Sequence, residues 1–434
     1  MPQGLAKIGL LNHVGGGNLG DDATLDAVVG GIKQRLPNAE IVAFTMNPDD
    51  THWRHGIISH PIRRHRWVIG YNPAGTGSTL KGIVKLLTRR YRAASYVFNT
   101  ISATIRLPSS ILRELTFLMS SRRAVAALDL LIISGGGQLT EKDGSWGFPY
   151  TIFKWVGLAR AAGVRCIFLN IGAGPLDHWL SKFFVRRALL AADYVSLRDE
   201  ESRALVHAIG FTRESRVCPD SVYGLKVATN GTPPGKCSRP MVGFAPMPYP
   251  DFDPNGYAAE ENKARYLAFI RKLALFASWL LDRSYGLTMF GTDVGVDPVA
   301  IEDLQKALLS HRAIPAPHYC VNQSVKTAHD LLTTMSGMDY VVTCRFHGVI
   351  FAHLLNKPVL AIAHHPKVTD LMADLELSNY CVDIRHFDPD MLAERFAALV
   401  ANSEEVKRRM AAILIKNRRW LSRQFDELFR FRNA

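Results

Sequence analysis

The sequence predicts an α/β protein of two Rossmann-like domains facing a cleft. Three observations carry that prediction. Short apolar strands alternate with glycine turns and helices, the pattern of a parallel sheet covered on both faces. The alternation stops at 229–240 (TNGTPPGKCSRP), which is rich in Pro and Gly and has no apolar period, and then it restarts. The chain has 434 residues, 47% of them apolar. That suits two or three domains and excludes a disordered or collagen-like chain.

The elements follow in order. Ala6–Asn12 reads as a buried strand, 15–20 as a glycine turn and Asp22–Leu36 as a helix. Glu40–Thr45 is the next strand. Asp129–Ser134 is another, running into Gly135, Gly136 and Gly137. Tyr150–Ala162 and Phe183–Ala191 read as helices, each followed by a strand, Val164–Asn170 and Tyr194–Leu197. After the break, Met241–Ala245 reads as a strand and Glu260–Leu281 as a long amphipathic helix. Strands recur at Leu287–Gly291, Asp339–Thr343 and Pro358–Ala363. Phe346–Leu355 reads as an almost wholly apolar helix and Ser403–Phe431 as a long terminal one. The expected domains are therefore 1–228, with an insertion at about 61–123, and 241–402, joined by a linker at 229–240. The terminal helix, 403–434, is expected to pack back on the first domain. Ligands of such sheets sit beyond the carboxyl ends of the strands. The site should therefore collect the glycine turns and the Thr343–His347 corner.

Charge and cysteine usage narrow the classes. The net charge of +13 favours anionic partners. The stretch 61–123 holds 12 Lys or Arg against one acid, Glu114. Within it Lys81, Lys85, Arg89, Arg90 and Arg92 interleave with apolar residues. This is either a basic amphipathic element for an anionic membrane surface or a solvated insertion packed on the first domain. No nucleic-acid-binding motif accompanies the charge, so no nucleic acid is expected. Cys166, Cys218, Cys237, Cys320, Cys344 and Cys381 form no C-x-x-C pair and read as reduced and structural. No signal peptide or apolar run of spanning length is apparent, so the expected location is cytoplasmic, with peripheral contact to the inner membrane open.

Several short motifs sit at strand ends. Residues 15–20 (GGGNLG) formally fit a dinucleotide fingerprint. The second strand lacks the required terminal acid, and Asp21 and Asp22 occupy the place of a pyrophosphate. Either Asn18, Gly20 and Asp21 hold a polar ligand, or the segment is a glycine turn with a helix cap. Gly136 and Gly137 let a ligand or another backbone approach closely. Arg198, in Ser196–Asp199, either clamps a carboxylate or phosphate or pairs locally. Asp220 either orients a base or sugar hydroxyl, or forms a turn. Arg345 and His347 stand where a strand enters a greasy helix, a costly place for polar groups without a use. Arg345 offers fixed charge, and His347 can move a proton near neutral pH. Lys367 adds a cation after the next strand. The histidines from His318 to His365 lack a metal-binding spacing, so no metal is expected.

In order along the chain, Gly17-Asn18-Leu19-Gly20-Asp21, Gly135-Gly136-Gly137-Gln138, Gly174-Pro175, Ser196-Leu197-Arg198-Asp199, Asp220, Arg345-Phe346-His347, Lys357-Pro358 and Pro366-Lys367 resemble the polysaccharide pyruvyl transferase family. Phe346 departs from the family's usual Leu, and Cys344 from its usual Ser or Met. The resemblance implies a fold similar to the GT-B glycosyltransferases. It also implies transfer of pyruvate from phosphoenolpyruvate, a donor substrate rather than a cofactor, to two hydroxyls of one sugar, forming a cyclic ketal. On that reading Arg198, Arg345 and Lys367 hold the donor's anionic groups. His347 is the general acid, and Asp21 or Asp220 orients or deprotonates the acceptor. The implied acceptor is a sugar of a lipid-linked exopolysaccharide or capsule repeat unit. Two other readings compete: a GT-B glycosyltransferase using a nucleotide sugar, and a non-enzymatic polyanion- or carbohydrate-binding protein.

Overall fold

The computed structural model describes residues 6–64, 112–227, 239–249, 259–311, 319–322 and 324–429. The core of the basic stretch (Lys81 to Arg92), most of the linker with Cys237, and residues 430–434 lie outside the described residues.

Two parallel sheets form the framework. The first contains β1 (Lys7–Leu11), β2 (Glu40–Thr45), β3 (Ile58–Pro61), β4 (Leu130–Ser134), β5 (Arg165–Ile171), β6 (Tyr194–Leu197) and β7 (Arg216–Val217), in the order β3-β2-β1-β4-β5-β6-β7. The second contains β8 (Met241–Ala245), β9 (Gly286–Met289), β10 (Tyr319–Val321), β11 (Tyr340–Thr343), β12 (Val359–Ala363) and β13 (Cys381–Asp383), in the order β10-β9-β8-β11-β12-β13. Both orders run outward in two directions from the first strand. Each therefore opens a crevice where its direction reverses, between β1 and β4 and between β8 and β11. The central strands are almost free of polar residues, as strands covered on both faces must be: β12 reads VLAIA and is buried throughout.

Where structure and expectation differ, caps explain the shift. The first helix is Leu19–Arg35, starting earlier than its apolar pattern suggests because Asn18 caps it by accepting from the Gly20 amide at 3.0 Å. Helix Pro48–His55 was not apparent in the sequence because most of its side chains are polar. Asn47 and Pro48 start it, and Gly56, at φ 64°, ends it. In the second half the helices Asp297–His311, Ala328–Ser336, Pro366–Asp374 and Pro389–Ala401 fill connections that read only as gaps.

The flanks of the basic stretch are ordered parts of the first layer. Residues 112–126 are helical, and Glu114 lies 3.8 Å from Arg64 and 3.6 Å from Lys154. The terminal helix Ser403–Phe429 touches both halves. Arg35 of the first helix donates to Asp426 at 2.9 Å. On the other side, the His353 ring meets the Met410 carbonyl at 2.6 Å. The five described cysteines are unpaired.

Candidate active site

The carboxyl edges of the two sheets face each other across a hollow of about 350 Å³. From the first sheet, the turn after β1 supplies His13, Asn18 and Asp21, the turn after β4 supplies Gly137 and Lys142, and β6 ends at Arg198. From the second sheet, Asp293 follows β9, Arg345, Phe346 and His347 follow β11, and Lys367 follows β12. Backbone hydrogen bonds join the rims. The Leu19 amide donates to the Thr292 carbonyl at 3.0 Å, and the Val294 amide to the Gly17 carbonyl at 2.9 Å.

His347 opens helix Phe346–Leu354, every residue of which is buried. Its ring lies flush on the backbone of Gly20, where an added Cβ would sit 2.0 Å from the imidazole. Glycine is therefore required at position 20. His347 Nε2 stands 3.9 Å from Asp220 Oδ2, and both atoms are buried without a hydrogen-bond partner. Burial pushes the His347 pKa below its usual value despite the charges of Asp220 and Asp21. The other Asp220 oxygen is fixed by the Val222 amide at 3.0 Å. Asp220 thus stands behind the imidazole and off the hollow's wall, placed to orient the ring and hold its charge.

Three cations converge in front of His347. Arg198 is held by Asp199 at 3.2 Å and lies 3.8 Å from Asp220. Arg345 Nε donates to Asp297 Oδ1 at 3.1 Å. Asp297 is fully buried and is itself fixed by the Thr292 and Asp293 amides at 3.0 and 2.9 Å. Lys367 is half-buried, and its pKa is lowered to about 8 by burial and by the neighbouring Arg198 and Arg345, against the opposing charge of Asp21. The Phe346 ring bridges two of the three, with the Arg198 guanidinium 4.6 Å and the Lys367 ammonium 5.9 Å from its centre.

Carboxylates line the same hollow. Asp21 pairs with His13 Nε2 at 2.9 Å. Burial acts to raise the Asp21 pKa, but His13, His347 and Lys367 outweigh it and hold it below the ordinary value. Gly136, at φ 59°, makes room for His13, since a Cβ there would lie 1.9 Å from the imidazole. Asp293 is buried, and burial raises its pKa to about 6 although Arg345 opposes the shift. His13, Asp293, Asp297 and Lys142 have no counterpart in the sequence reading. The spacing Asp293-x-x-x-Asp297 just after a strand was the available signal for two of them.

The histidine-rich segment divides by role. His353 bonds the Tyr223 hydroxyl at 3.0 Å as well as the Met410 carbonyl, a core position. His364 meets the Cys344 carbonyl at 2.8 Å, and burial with Lys367 nearby lowers its pKa to about 4. Among the described residues, no three His, Cys, Asp or Glu side chains are grouped to hold a metal ion.

The family model for polysaccharide pyruvyl transferases matches residues 18–366, from the cap of the first helix to the edge of the Lys367 turn. The chain belongs to that family. This is a transferase family with a sugar or polysaccharide acceptor. Its two sheets have the GT-B-like arrangement, and solved structures share the fold at low identity. A UDP-N-acetylglucosamine 2-epimerase is 11% identical, with a TM-score of 0.58 over 99% of this chain and 97% of that one. UDP-GlcNAc 2-epimerase from Methanocaldococcus jannaschii is 9% identical, with a TM-score of 0.55 over 90% and 92%. The Neisseria meningitidis UDP-GlcNAc 2-epimerase bound to UDP-GlcNAc is 12% identical, with a TM-score of 0.51 over 93% and 94%. These likenesses concern fold alone. No curated protein matches this chain. Among the described residues, no helix is long and apolar enough to cross a membrane.

Proposed function

We propose that the protein transfers the pyruvyl group of phosphoenolpyruvate to two hydroxyls of one sugar, forming a cyclic ketal and releasing phosphate. The observation that carries this reading is the convergence of Arg198, Arg345 and Lys367 with His347 on one hollow. A small donor bearing both a carboxylate and a phosphate needs several cations, and its methylene needs an acid.

Each residue has a task. The three cations hold the carboxylate and phosphate. The negative charge they admit raises the His347 pKa again, and Asp220 stabilises the imidazolium from behind. His347 protonates the methylene, turning the neighbouring carbon electrophilic. One acceptor hydroxyl adds to that carbon and loses its proton, the carbon–phosphate oxygen bond breaks, and the second hydroxyl closes the ring. One proton enters the methyl group, two leave the hydroxyls and one departs on the phosphate, so the step balances. Asp293 and Asp21 are the proton acceptors lining the hollow, and Asp293, with a pKa of about 6, is the better base near neutral pH. The proposed acceptor is a sugar of a lipid-linked exopolysaccharide or capsule repeat unit, met at the inner membrane surface.

The test is phosphate release from phosphoenolpyruvate with a panel of oligosaccharides, alongside calorimetric titration with phosphoenolpyruvate and with UDP-sugars. Phosphoenolpyruvate binding together with acceptor-dependent phosphate release supports the proposal. Binding of UDP-sugars without phosphoenolpyruvate would make the protein a glycosyltransferase instead. Binding of neither, with saccharide or polyanion binding unchanged in His347→Ala, would leave a binding protein.

A further inference from the structure

Three helices lie side by side on one face of the first sheet: residues 112–126, Phe148–Ala161 and Trp179–Ala191. Their inward side chains share one core, to which Val125, Trp155 and Val185 contribute. Lys154 ties two of them together, lying 3.6 Å from Glu114 and 4.9 Å from the centre of the Phe117 ring.

Their outward side is unusual for a surface. Leu112, Leu115, Met119, Trp146, Trp179 and Phe183 are between 43% and 70% exposed. Trp146 is propped edge-on by Tyr150 and Phe184, with ring centres 5.1 and 5.6 Å away. Among these apolar groups stand the exposed Arg113, Arg122, Arg123, Arg186 and Arg187. Helix Trp179–Ala191 contains no acid. The sole acid of residues 112–126, Glu114, is occupied by Arg64 and Lys154. Asp143 and Asp177, exposed just before Trp146 and Trp179, offset only part of this positive charge.

Exposed aromatic and aliphatic groups interspersed with arginines that have no carboxylate partner match the interfacial zone of an anionic bilayer, where the rings sit at headgroup depth and the cations meet phosphate. A second copy of the same face would set like charge against like. We propose that this three-helix face docks on an anionic phospholipid surface. The face adjoins the cleft mouth, because Trp146 lies between Asp143 and Phe148, both of which line the hollow. The inference needs no donor and stands apart from the transfer reaction, although it would bring the cleft to a lipid-linked acceptor.

The experiment is flotation of the full chain with vesicles of phosphatidylcholine, with and without phosphatidylglycerol. Recovery with the phosphatidylglycerol vesicles is expected, and salt should weaken it. Two triple variants alter exposed positions only: Trp146→Ser with Trp179→Ser and Phe183→Ser, and Arg122→Ser with Arg123→Ser and Arg187→Ser. The arginine variant should lose about 100-fold in partitioning, since each basic residue contributes roughly a factor of five. The aromatic variant should lose at least about 10-fold. Circular dichroism and calorimetric binding of phosphoenolpyruvate in the same samples report on fold and cleft. The proposal is overturned if the parent protein stays with the pellet, or if both variants float as it does. Self-association that the aromatic variant abolishes, without vesicle binding, would overturn it in favour of a second copy. Loss of phosphoenolpyruvate binding with flotation intact would strike the transfer reading and leave this surface standing.

Discussion

An imidazole pressed flat on a glycine backbone has little freedom to adjust. Gly20→Ala should displace His347 while leaving the sheets intact. We expect kcat to fall at least about 10-fold, approaching the ~10²-fold or greater loss of His347→Ala, with an unchanged circular dichroism spectrum. Lys367 gives a second expectation. Its cationic form is complete only below its pKa of about 8, so kcat/KM for the donor should fall as pH rises through that value. Lys367→Arg should move this limb to higher pH. Phe346→Leu removes the ring shared by Arg198 and Lys367. It should raise KM for the donor roughly 5-fold, with a smaller effect on kcat, and Phe346→Tyr should restore it. Arg345 and His347 were legible in the sequence because polar side chains at the mouth of a wholly apolar helix need a reason. His13 was not, because its partner Asp21 and its seat at Gly136 are assembled only by the β1–β4 crevice. Asp297 was equally silent: its value lies in pinning an arginine 48 residues away.

Among the elements, helix Pro48–His55 shows what a short polar segment can do. The buried His55 ring lies 2.6 Å from Asp26 and 3.5 Å from Asp22, both on the first helix. Burial alone would lower its pKa, but the two carboxylates push it up to about 9. The folded value exceeds the ordinary 6.5. The resulting stabilisation is therefore complete below about pH 6.5 and is lost as pH rises through about 9. Urea midpoints taken across pH 6 to 10 should show this decline, and His55→Ala should flatten it. The central strands and the long helices were readable in the apolar pattern, whereas the short edge strands Ile58–Pro61, Tyr319–Val321 and Cys381–Asp383 were not. Helices such as Pro48–His55 and Pro366–Asp374 were not, since caps and tertiary burial define them more than amphipathic period does.

At the scale of the whole molecule, the terminal helix joins the halves. Gln424 is buried, and its amide nitrogen lies within hydrogen-bond distance of Asn170 Oδ1 (2.8 Å), the Tyr194 hydroxyl (3.0 Å) and the Ser196 hydroxyl (3.0 Å), all in the first sheet. Gln424→Leu would strand these groups at a cost of about 1–3 kcal/mol, readable by denaturant unfolding. The sequence marked that helix by its length, but its buried glutamine is recognisable only once β5 and β6 are seen beneath it.

The paired amides and carbonyls between Gly17–Leu19 and Thr292–Val294 carry a consequence of their own. His347, the proposed proton donor, comes from one sheet and its glycine seat from the other, so that role depends on those few bonds keeping the lobes in register. A small anion gripped by Arg198 on one side and Arg345 on the other would act as a reversible rivet. Phosphoenolpyruvate should therefore raise the midpoint of thermal unfolding in proportion to the logarithm of its concentration, fastening the enzyme shut only when there is something to react.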